Sequence, residues 1–231
     1  MPLYVCATPI GNLDDVSLRL LSVLREADLI VAEDTRHTRA LLSRHDIHTS
    51  LASCHEHTHP AKIEALVERM AEGQTLALVT DAGTPGVSDP GPPLVLAAGE
   101  RGIVVQPIPG PCALVAALCV SGFDAQRFSF LGFLPRKPGR RRRALEEALA
   151  RNETVVLYES PYRVLDVVKI VAELSPSRPT VVCRELTKKF EETLRGSATD
   201  VLNEMASRKE QRGEFVVVIG AGEDSVIEDC A

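Results

Sequence analysis

The segment from Thr80 to Pro93 limits the possible folds of this chain more than any other, because three glycines and four prolines fall within fourteen residues. It follows the apolar run 76–79, which predicts a buried strand, and precedes the apolar run 94–98, which predicts the start of a helix. Proline fixes φ, and glycine allows positive φ or a close approach to a ligand. A strand-to-helix connection needs only about two to six residues. A longer, rigid loop at the carboxyl end of a strand therefore indicates a ligand site in an open α/β sheet.

Strand patterns and helix patterns alternate through the first half of the chain. This alternation predicts βαβ units and a mostly parallel sheet. Beyond Gly122 the pattern changes, since Phe128, Phe130 and Phe133 alternate as in an edge or antiparallel strand. We therefore predict an α/β fold with two α/β lobes, residues 1–117 and 118–231. The strands predicted in the first lobe are 3–7, 29–32, 51–54, 76–79 and 103–105.

Charge, cysteine spacing and hydropathy indicate the class of protein. The formal net charge of −6 argues against a surface coated with basic residues, although a local basic patch is compatible with it. The six cysteines are scattered without C-x-x-C or metal-ligand spacing, which is typical of reduced core residues in a cytosolic protein. There is no signal-peptide pattern, and no apolar run reaches the roughly 18 residues that span a membrane. We therefore expect a cytoplasmic protein without a membrane-spanning segment.

Three loops that follow predicted strands share one composition. Residues 8–15, 80–93 and 107–112 combine glycine and proline with few charged groups. If they converge, they form a pocket lined by backbone groups, which suits a ligand with an adenine, a ribose and a modest net charge. A nucleoside triphosphate and a dinucleotide fit less well, because neither G-x-x-x-x-G-K-[ST] nor G-x-G-x-x-G follows a strand.

A block of charged residues, Glu33 to Arg39, comes directly after the predicted strand 29–32. Glu33 or Asp34 in that place is suited to binding a ribose hydroxyl or to acting as a base, and Arg36 is suited to holding a phosphate. The alternative is that Asp34 or Thr35 caps the following helix. Both interpretations are compatible with one another.

The histidines at 55, 57 and 59 suggest a metal site, with Glu56 between the first two. The alternative is a polar loop ahead of a helix whose first turn contains Pro60. No cysteine pair or H-E-x-x-H supports a metal, so we predict none. A serine hydrolase is also disfavoured, since G-x-S-x-G is absent.

The motif Y-E-S-P-Y-R, residues 158–163, repeats in the second lobe the placement of polar residues after a strand. It contains an aromatic side chain suited to stacking on a base. The alternative is again a helix start, with Ser160 as the cap and Pro161 in the first turn.

One segment is strongly basic: P-R-K-P-G-R-R-R-R, residues 135–143. Four arginines at a helix N-terminus oppose the helix dipole, so a ligand explains them better than stability does. We predict that RNA phosphates bind there. The predicted RNA contacts are Arg136, Lys137, Arg140, Arg141, Arg142 and Arg143.

The order of several motifs resembles one family over residues 3 to 220. These motifs are T-P-I-G-N-L-D-D, A-E-D-T-R-H-T, H-E-H, D-A-G-T-P-G-V-S-D-P-G, P-G-P, G-F-L-P-R-K, Y-E-S-P-Y-R and R-E-L-T-K. They resemble the ribosomal RNA small subunit methyltransferase I family, a branch of the tetrapyrrole methylase superfamily. The resemblance implies a dimeric S-adenosylmethionine-dependent methyltransferase, with the cofactor in the cleft between the two lobes. It also implies methylation of the ribose 2′-hydroxyl of a cytidine in the decoding region of small-subunit ribosomal RNA.

The resemblance also implies roles for individual residues. By analogy with the superfamily, cofactor contacts are expected at Pro9, Gly11, Asp81, Gly83, Thr84, Val87, Cys112, Ala113, Tyr158 and Arg184. Glu33, Asp34 and Arg36 are the candidates for the base and for substrate orientation. Two positions depart from the family pattern: Cys112, where the family usually has Ser, and Tyr162, where it usually has His.

Two other functions are compatible with parts of the sequence. The first is a methyltransferase for a small tetrapyrrole on the same scaffold, but such a substrate needs no run of four arginines. The second is a nucleotide- or RNA-binding module without catalysis, which the three Gly/Pro loops argue against.

Overall fold

A computed structural model describes residues 1–55 and 57–222. The chain divides into two compact units, of which the first is Met1–Cys112 and the second begins at Ala113. The lobe boundary predicted after residue 117 falls inside the first helix of the second unit. That each unit is a separate domain stays a prediction.

The first unit is a parallel five-stranded sheet with helices on both faces. Its strand order is β3-β2-β4-β1-β5, and every pair is parallel. Its strands and helices are β1 (Leu3–Cys6), α1 (Leu18–Glu26), β2 (Leu29–Ala32), α2 (Thr35–Arg44), β3 (Leu51–Ser53), α3 (Pro60–Ala71), β4 (Leu76–Val79), α4 (Pro92–Glu100) and β5 (Val105–Ile108).

Alternate residues of the central strands point to opposite faces of this sheet. On one face, Ala77 and Val79 of β4 pack in the core formed with α1 and α2. On the other, Leu76 and Leu78 pack in the core formed with α3 and α4. All four residues of β4 are buried, so this strand lies in the middle of the unit and fixes where its carboxyl end emerges.

Two sequence expectations for this unit are corrected. The strand predicted at 103–105 is Val105–Ile108, and it includes Pro107. Proline lacks an N–H, but β5 is an edge strand and tolerates it. The sequence spacing predicts an apolar face of Leu18, Leu21 and Leu24 for α1. The buried residues are instead Leu20, Val23 and Leu24, and Leu18 is exposed because it is the first residue after the Ser17 cap.

The second unit is a mixed sheet with strand order β6-β7-β10-β8-β9. β6 lies at the edge, as predicted, and pairs in parallel with β7, while the other three pairs are antiparallel. Its strands and helices are α5 (Ala113–Ser121), β6 (Phe128–Phe133), α6 (Pro138–Leu149), β7 (Thr154–Glu159), α7 (Val164–Leu174), β8 (Pro179–Arg184), β9 (Glu192–Ser197), α8 (Ala198–Ala206) and β10 (Phe215–Ile219).

The helix after β7 begins later than the sequence suggests. The sequence pattern suggests a start with Ser160 as cap and Pro161 in the first turn, but α7 starts at Val164. The Ser160 carbonyl instead accepts the N–H groups of Arg163 and Val164 at 3.1 and 3.0 Å, which makes residues 160–163 a separate turn.

In the described part of the chain, no helix combines the length and apolar character required to cross a membrane.

Candidate active site

The crevice between β2 and β4 is the place in the first unit where chain connections diverge. From β2 the chain runs through α2 to β3 on one side, whereas from β4 it runs through α4 to β5 on the other side. Open α/β sheets bind ligands at such switch points, outside the carboxyl ends of the strands. The long loop after β4 and the charged block after β2 both begin here.

Acidic side chains join the two strand ends at this crevice. Oδ1 of Asp81, just beyond β4, accepts the backbone N–H of Asp34 at 3.0 Å. Oε2 of Glu33 accepts the backbone N–H of Asp81 at 3.4 Å. Oδ2 of Asp81 lies 3.5 Å from Nδ1 of His37. The two segments therefore hold one another in place through three separate contacts.

Asp34 caps α2 and also holds Arg36. Its Oδ1 accepts the Arg36 backbone N–H at 2.8 Å, and its Oδ2 lies 2.5 Å from Nη2 of Arg36. The hydrogen bonds from the Arg36 side chain and backbone lower the pKa of Asp34 well below its usual range. Both interpretations of the charged block are thus compatible with the structure. A carboxylate stabilised in this way is a weak proton acceptor, which favours an orienting role for Asp34 over that of a base.

The three Gly/Pro loops meet at the carboxyl edge of this sheet. Thr8 and Gly83 form an isolated bridge, in which the Thr8 N–H donates to the Gly83 carbonyl at 2.8 Å and the Gly83 N–H donates back at 3.1 Å. The Thr84 hydroxyl donates to the Pro111 carbonyl at 3.1 Å. The loop after β4 therefore contacts both the loop after β1 and the loop after β5, so the predicted convergence is confirmed.

Gly91 and Gly86 of the loop after β4 differ in what a side chain at each position would contact. Gly91 has φ +141°, and a Cβ there would lie 3.2 Å from Cδ2 of Leu78, so this glycine serves the packing of the fold. Gly86 has φ +86° and is exposed, and a Cβ there would meet only Pro92, at 3.8 Å. Space next to Gly86 is therefore open to a ligand that approaches the backbone.

Of the predicted cofactor contacts, seven lie on these loops: Pro9, Gly11, Asp81, Gly83, Thr84, Val87 and Cys112. The three loops contain four carboxylates, Asp14, Asp15, Asp81 and Asp89, and neither lysine nor arginine. This composition suits a ligand with a positive charge and disfavours one with several phosphates. The residues present therefore fit a sulfonium cofactor.

The remaining predicted cofactor contacts, Ala113, Tyr158 and Arg184, belong to the second unit. The hydroxyl of Tyr158 accepts the Leu114 N–H at 2.9 Å, and its ring stands edge-on to Phe130, with centroids 4.9 Å apart. Nε of Arg184 donates to the Arg212 carbonyl at 2.6 Å. Both side chains thus have structural partners, and their cofactor role stays a prediction.

The histidines at the start of α3 make local contacts. His59 caps α3 by accepting the Ala61 N–H at 3.2 Å, and Nδ1 of His55 accepts the His57 N–H at 3.2 Å. Glu56, between the first two histidines, lies outside the described residues. Within residues 1–55 and 57–222, no three His, Cys, Asp or Glu residues are grouped so as to hold a metal ion.

The basic run is divided between exposed and buried positions, so its six predicted RNA contacts do not all lie on one surface. Arg141 is only 5% exposed and lies 3.4 Å from Asp166 of α7. Arg142 forms ion pairs with Glu146 and Glu173, and Arg143 forms one with Glu147. Within the described ranges, no ion pair is formed by Arg136, Lys137 or Arg140. Consecutive helical residues point in different directions, which explains why the run is divided.

Two residues that help to build the crevice, Thr8 and His37, are not among the site residues predicted from the sequence. The Thr8 hydroxyl donates to the Thr80 carbonyl at 3.2 Å and is buried. His37 contacts Asp81 from the first turn of α2. Their position is the signal: Thr8 is directly beyond β1, and His37 is three residues beyond the cap Asp34, within the first turn of α2.

Comparison with known proteins identifies the family. Residues 2–202 match the family described as Tetrapyrrole (Corrin/Porphyrin) Methylases. A "Ribosomal RNA small subunit methyltransferase I" from Halalkalibacterium halodurans is 46% identical over 222 residues, which cover 96% of this chain and 76% of that protein. One of the same name from Xylella fastidiosa is 45% identical over 224 residues, with coverage of 96% and 82%. The chain belongs to the ribosomal RNA small subunit methyltransferase I family.

Solved structures agree with this family's fold. The methyltransferase CobJ superimposes with a TM-score of 0.70 at 21% identity, covering 96% of this chain and 94% of that one. Diphthine synthase gives a TM-score of 0.70 at 15% identity, with coverage of 94% and 90%. The predictions of the α/β fold, of a methyltransferase and of S-adenosylmethionine as its cofactor are confirmed.

Proposed function

We propose that this protein methylates the ribose 2′-hydroxyl of a cytidine in the decoding region of small-subunit ribosomal RNA. The observation that carries this proposal is the joined set of loops at the carboxyl ends of β1, β4 and β5, which is rich in glycine and carboxylate and has no lysine or arginine. Relatives more than 40% identical over most of the chain are named as ribosomal RNA small subunit methyltransferases, which supports RNA as the substrate.

A tetrapyrrole substrate is the second candidate, and it is less well supported. Structures of precorrin and uroporphyrin methyltransferases share the fold at 17% and 20% identity, which is evidence for the scaffold alone. Three exposed cations follow β6: Arg136, Lys137 and Arg140. They are of use to an RNA backbone.

For the cofactor, we assign binding to the loop residues that face the crevice. Backbone groups around Gly11, Gly86 and Val87 are suited to the adenosine and methionine parts. The carboxylate of Asp81 places a negative charge near the positive sulfonium, which supplies the methyl group when the cofactor is bound. These assignments rest on composition and on position within the fold.

For the substrate, we assign orientation to Asp34 and Arg36. Arg36 is 84% exposed at its side chain but is held by Asp34, so its guanidinium projects into solvent from a fixed base. A guanidinium in that position is suited to a phosphate or ribose oxygen of the target nucleotide. Alignment of the reacting atoms accounts for a large part of the rate of a displacement reaction. Glu33, at the end of β2, remains the carboxylate candidate for proton removal.

We further propose that the protein acts in the cytoplasm as a homodimer. Small-subunit RNA is assembled there, and a two-chain platform offers more surface to a large substrate. Light scattering tests the dimer, and a monomer at micromolar concentration would refute it.

The experiment that tests the function is mapping of 2′-O-methylation on small-subunit RNA with and without this protein. The wild-type protein with S-adenosylmethionine is expected to protect one cytidine of the decoding region from alkaline cleavage. Separately, calorimetric titration measures cofactor binding without any substrate. Binding of the cofactor without methylation of RNA would refute the assigned substrate while leaving the methyltransferase scaffold intact.

A further inference from the structure

Arg163 joins two loops at one edge of the second unit's sheet. Its Nη2 lies 2.6 Å from Oε1 of Glu159, whose side chain is fully buried. Its Nη1 donates to the Leu134 carbonyl at 3.2 Å. Leu134 follows β6 and Glu159 ends β7, and these strands are parallel neighbours, so both connections leave the sheet at the same edge. Arg163 therefore fixes the loop after β6 and the turn after β7 relative to each other.

Two large aromatic side chains are exposed on these connections. Tyr162 lies in the turn closed by the Arg163 N–H and the Ser160 carbonyl, and it is 92% exposed. Phe133, the last residue of β6, is 56% exposed, and its ring makes an edge contact with Tyr158 at a centroid distance of 5.9 Å. Exposed apolar side chains that lie close together often mark a binding surface, whereas single exposed apolar side chains are common on any protein.

Cations lie on the same connection as Phe133. Arg136 and Lys137 follow it in the loop, and Arg140 is in the first turn of α6. All three are exposed, and within the described ranges none has an ion-pair partner. Against a net charge of −6 for the chain, they make a local positive region.

We propose that Phe133, Tyr162, Arg136, Lys137 and Arg140 form a docking surface for single-stranded RNA, here called the aromatic–cation surface. The rings stack on unpaired bases, and the cations contact phosphates of the same strand. This deepens the proposed function and rests on it, because it states how the RNA substrate is held.

The chemistry of the surface favours a single strand over other partners. Stacking on an aromatic ring requires a base whose face is free, which a duplex does not offer. Cations without carboxylate partners suit phosphates, whereas a protein partner of ordinary composition has no such regular array of negative charge. Aromatic rings beside cations are the usual composition of single-strand binding grooves.

The test measures binding of an unstructured single-stranded RNA of about 12 nucleotides, within the site size of such grooves, by fluorescence anisotropy with the full chain. Phe133→Leu and Tyr162→Leu keep an apolar side chain and remove the aromatic face. Each is expected to weaken binding roughly five- to hundredfold, the range for loss of a base–aromatic stack. Tyr162→Phe is expected to bind as the wild type does.

Phe128→Leu is the matched control. Phe128 is on the same strand β6 and is 40% exposed, but it lies at the opposite end of the strand from Phe133. Its substitution is expected to leave RNA affinity unchanged. Equal affinity in Phe128→Leu, Phe133→Leu and Tyr162→Leu would overturn the proposal.

The salt dependence separates the rings from the cations. In Phe133→Leu and Tyr162→Leu, the slope of log affinity against log salt is expected to stay at the wild-type value. In the triple variant Arg136→Ser, Lys137→Ser, Arg140→Ser, the slope is expected to fall by about 2, since each phosphate contact on a single strand contributes roughly 0.7. An unchanged slope in the triple variant would place the phosphates elsewhere and overturn the proposal.

Two further measurements separate the proposal from its alternatives. If the aromatic variants lose as much affinity for a blunt RNA duplex of equal length, the rings do not stack on bases. If they change the molar mass measured by light scattering, the surface is an interface between copies of this chain. Either result overturns the proposal. Cofactor titration and circular dichroism establish folding, and Tyr162→Leu carries the test if Phe133→Leu does not fold, because Tyr162 is almost fully exposed.

Failure of this proposal and failure of the proposed function are distinguishable. If the wild-type protein leaves small-subunit RNA unmethylated, the function fails whatever the oligonucleotide shows. If methylation occurs and the aromatic variants bind and methylate normally, only the aromatic–cation surface is wrong.

Discussion

The carboxylate of Asp81 accepts the backbone N–H of Asp34 across 3.0 Å, which ties the loop after β4 to the first turn of α2. The second oxygen of Asp81 faces His37, and the carboxylate of Asp34 faces Arg36. The two acidic residues therefore have different structural roles. Asp81 connects the loop after β4 to α2, and Asp34 orients the guanidinium of Arg36. This division makes the charged block open to a selective test.

Asp34→Asn separates the cap from the charge. Asparagine is as good an N-cap as aspartate, so α2 is expected to remain stable, but the neutral amide no longer pairs with Arg36. We expect turnover on RNA to fall at least tenfold, a size typical for a lost orienting contact. Affinity for S-adenosylmethionine is expected to change by less than about twofold, since the Gly/Pro loops are untouched. Single-turnover kinetics and calorimetric titration measure the two quantities.

Arg36→Ala is the companion variant, and it is expected to behave like Asp34→Asn. If both variants turn over RNA at the wild-type rate, Asp34 serves only as a helix cap. Arg39→Ala, one turn further along the exposed side of α2, is the control for a general loss of positive charge.

Gly86→Ala tests the cofactor loop. Gly86 has φ +86°, so alanine there costs about 1–2 kcal/mol of backbone strain, and its methyl group enters the open space beside the loop. We expect the dissociation constant for S-adenosylmethionine to rise at least tenfold in calorimetric titration, while the protein stays folded.

The matched control for Gly86→Ala is Gly102→Ala. Gly102 also has positive φ, +70°, with nothing within 4 Å of an added Cβ, but it lies between α4 and β5, at the opposite ends of the strands. Both variants are expected to lose similar stability in chemical unfolding. Similar losses of cofactor affinity in the two would mean that the effect is strain and not contact.

The sequence predicts the first unit well because its signals are local. Asp34 is predicted as a helix cap and caps α2, and Pro60 is predicted in the first turn of a helix and begins α3. The strand β4 is a continuous apolar run between turn residues, so its ends are visible without tertiary information.

The errors arise where tertiary packing decides. Pro107 fits within β5 only because that strand is at an edge, and a linear pattern does not show sheet order. Arg141 reads as one more surface cation, yet the helical position turns it toward α7. The contact of Asp81 with Asp34 joins residues 47 positions apart and has no local signature.

We expect the free energy of unfolding to fall at alkaline pH because of the buried thiol of Cys6. Cys6 is fully buried on β1, and burial raises the pKa of its thiol from 9.0 to about 12. The unfolded chain releases this proton at lower pH than the folded chain does. The stabilising contribution is therefore fully present below pH 9 and is lost as pH rises from there to about 12.

The measurement is urea unfolding of the wild type and of Cys6→Ala between pH 8 and pH 11. Above pH 9 the unfolding free energy of the wild type is expected to fall up to about 1.4 kcal/mol per pH unit faster than that of the variant. Parallel curves would show that Cys6 ionises as readily in the folded protein as in the unfolded one. The alanine variant is less stable at neutral pH because of the small cavity, so the slopes are compared and not the absolute values.

Arg141→Met tests whether the buried arginine serves the fold or the RNA. The Arg141 side chain is 6% exposed, its Nε has no hydrogen-bond partner among the described residues, and its one ion-pair partner, Asp166, is 62% exposed. Arg141→Met therefore removes a buried N–H group that has no hydrogen-bond partner among the described residues. The Asp166 carboxylate that loses its ion-pair partner is solvated by water. Methionine retains most of the aliphatic length and packs against Leu145 and α7. We expect the free energy of unfolding to stay within about 1 kcal/mol of the wild type or to rise, whereas Arg141→Ala, which leaves a cavity, is expected to lose more.

RNA affinity and its salt slope are expected to be unchanged in Arg141→Met, in contrast to Arg140→Ser. A flatter salt slope in Arg141→Met would mean that this arginine leaves the core to meet the RNA.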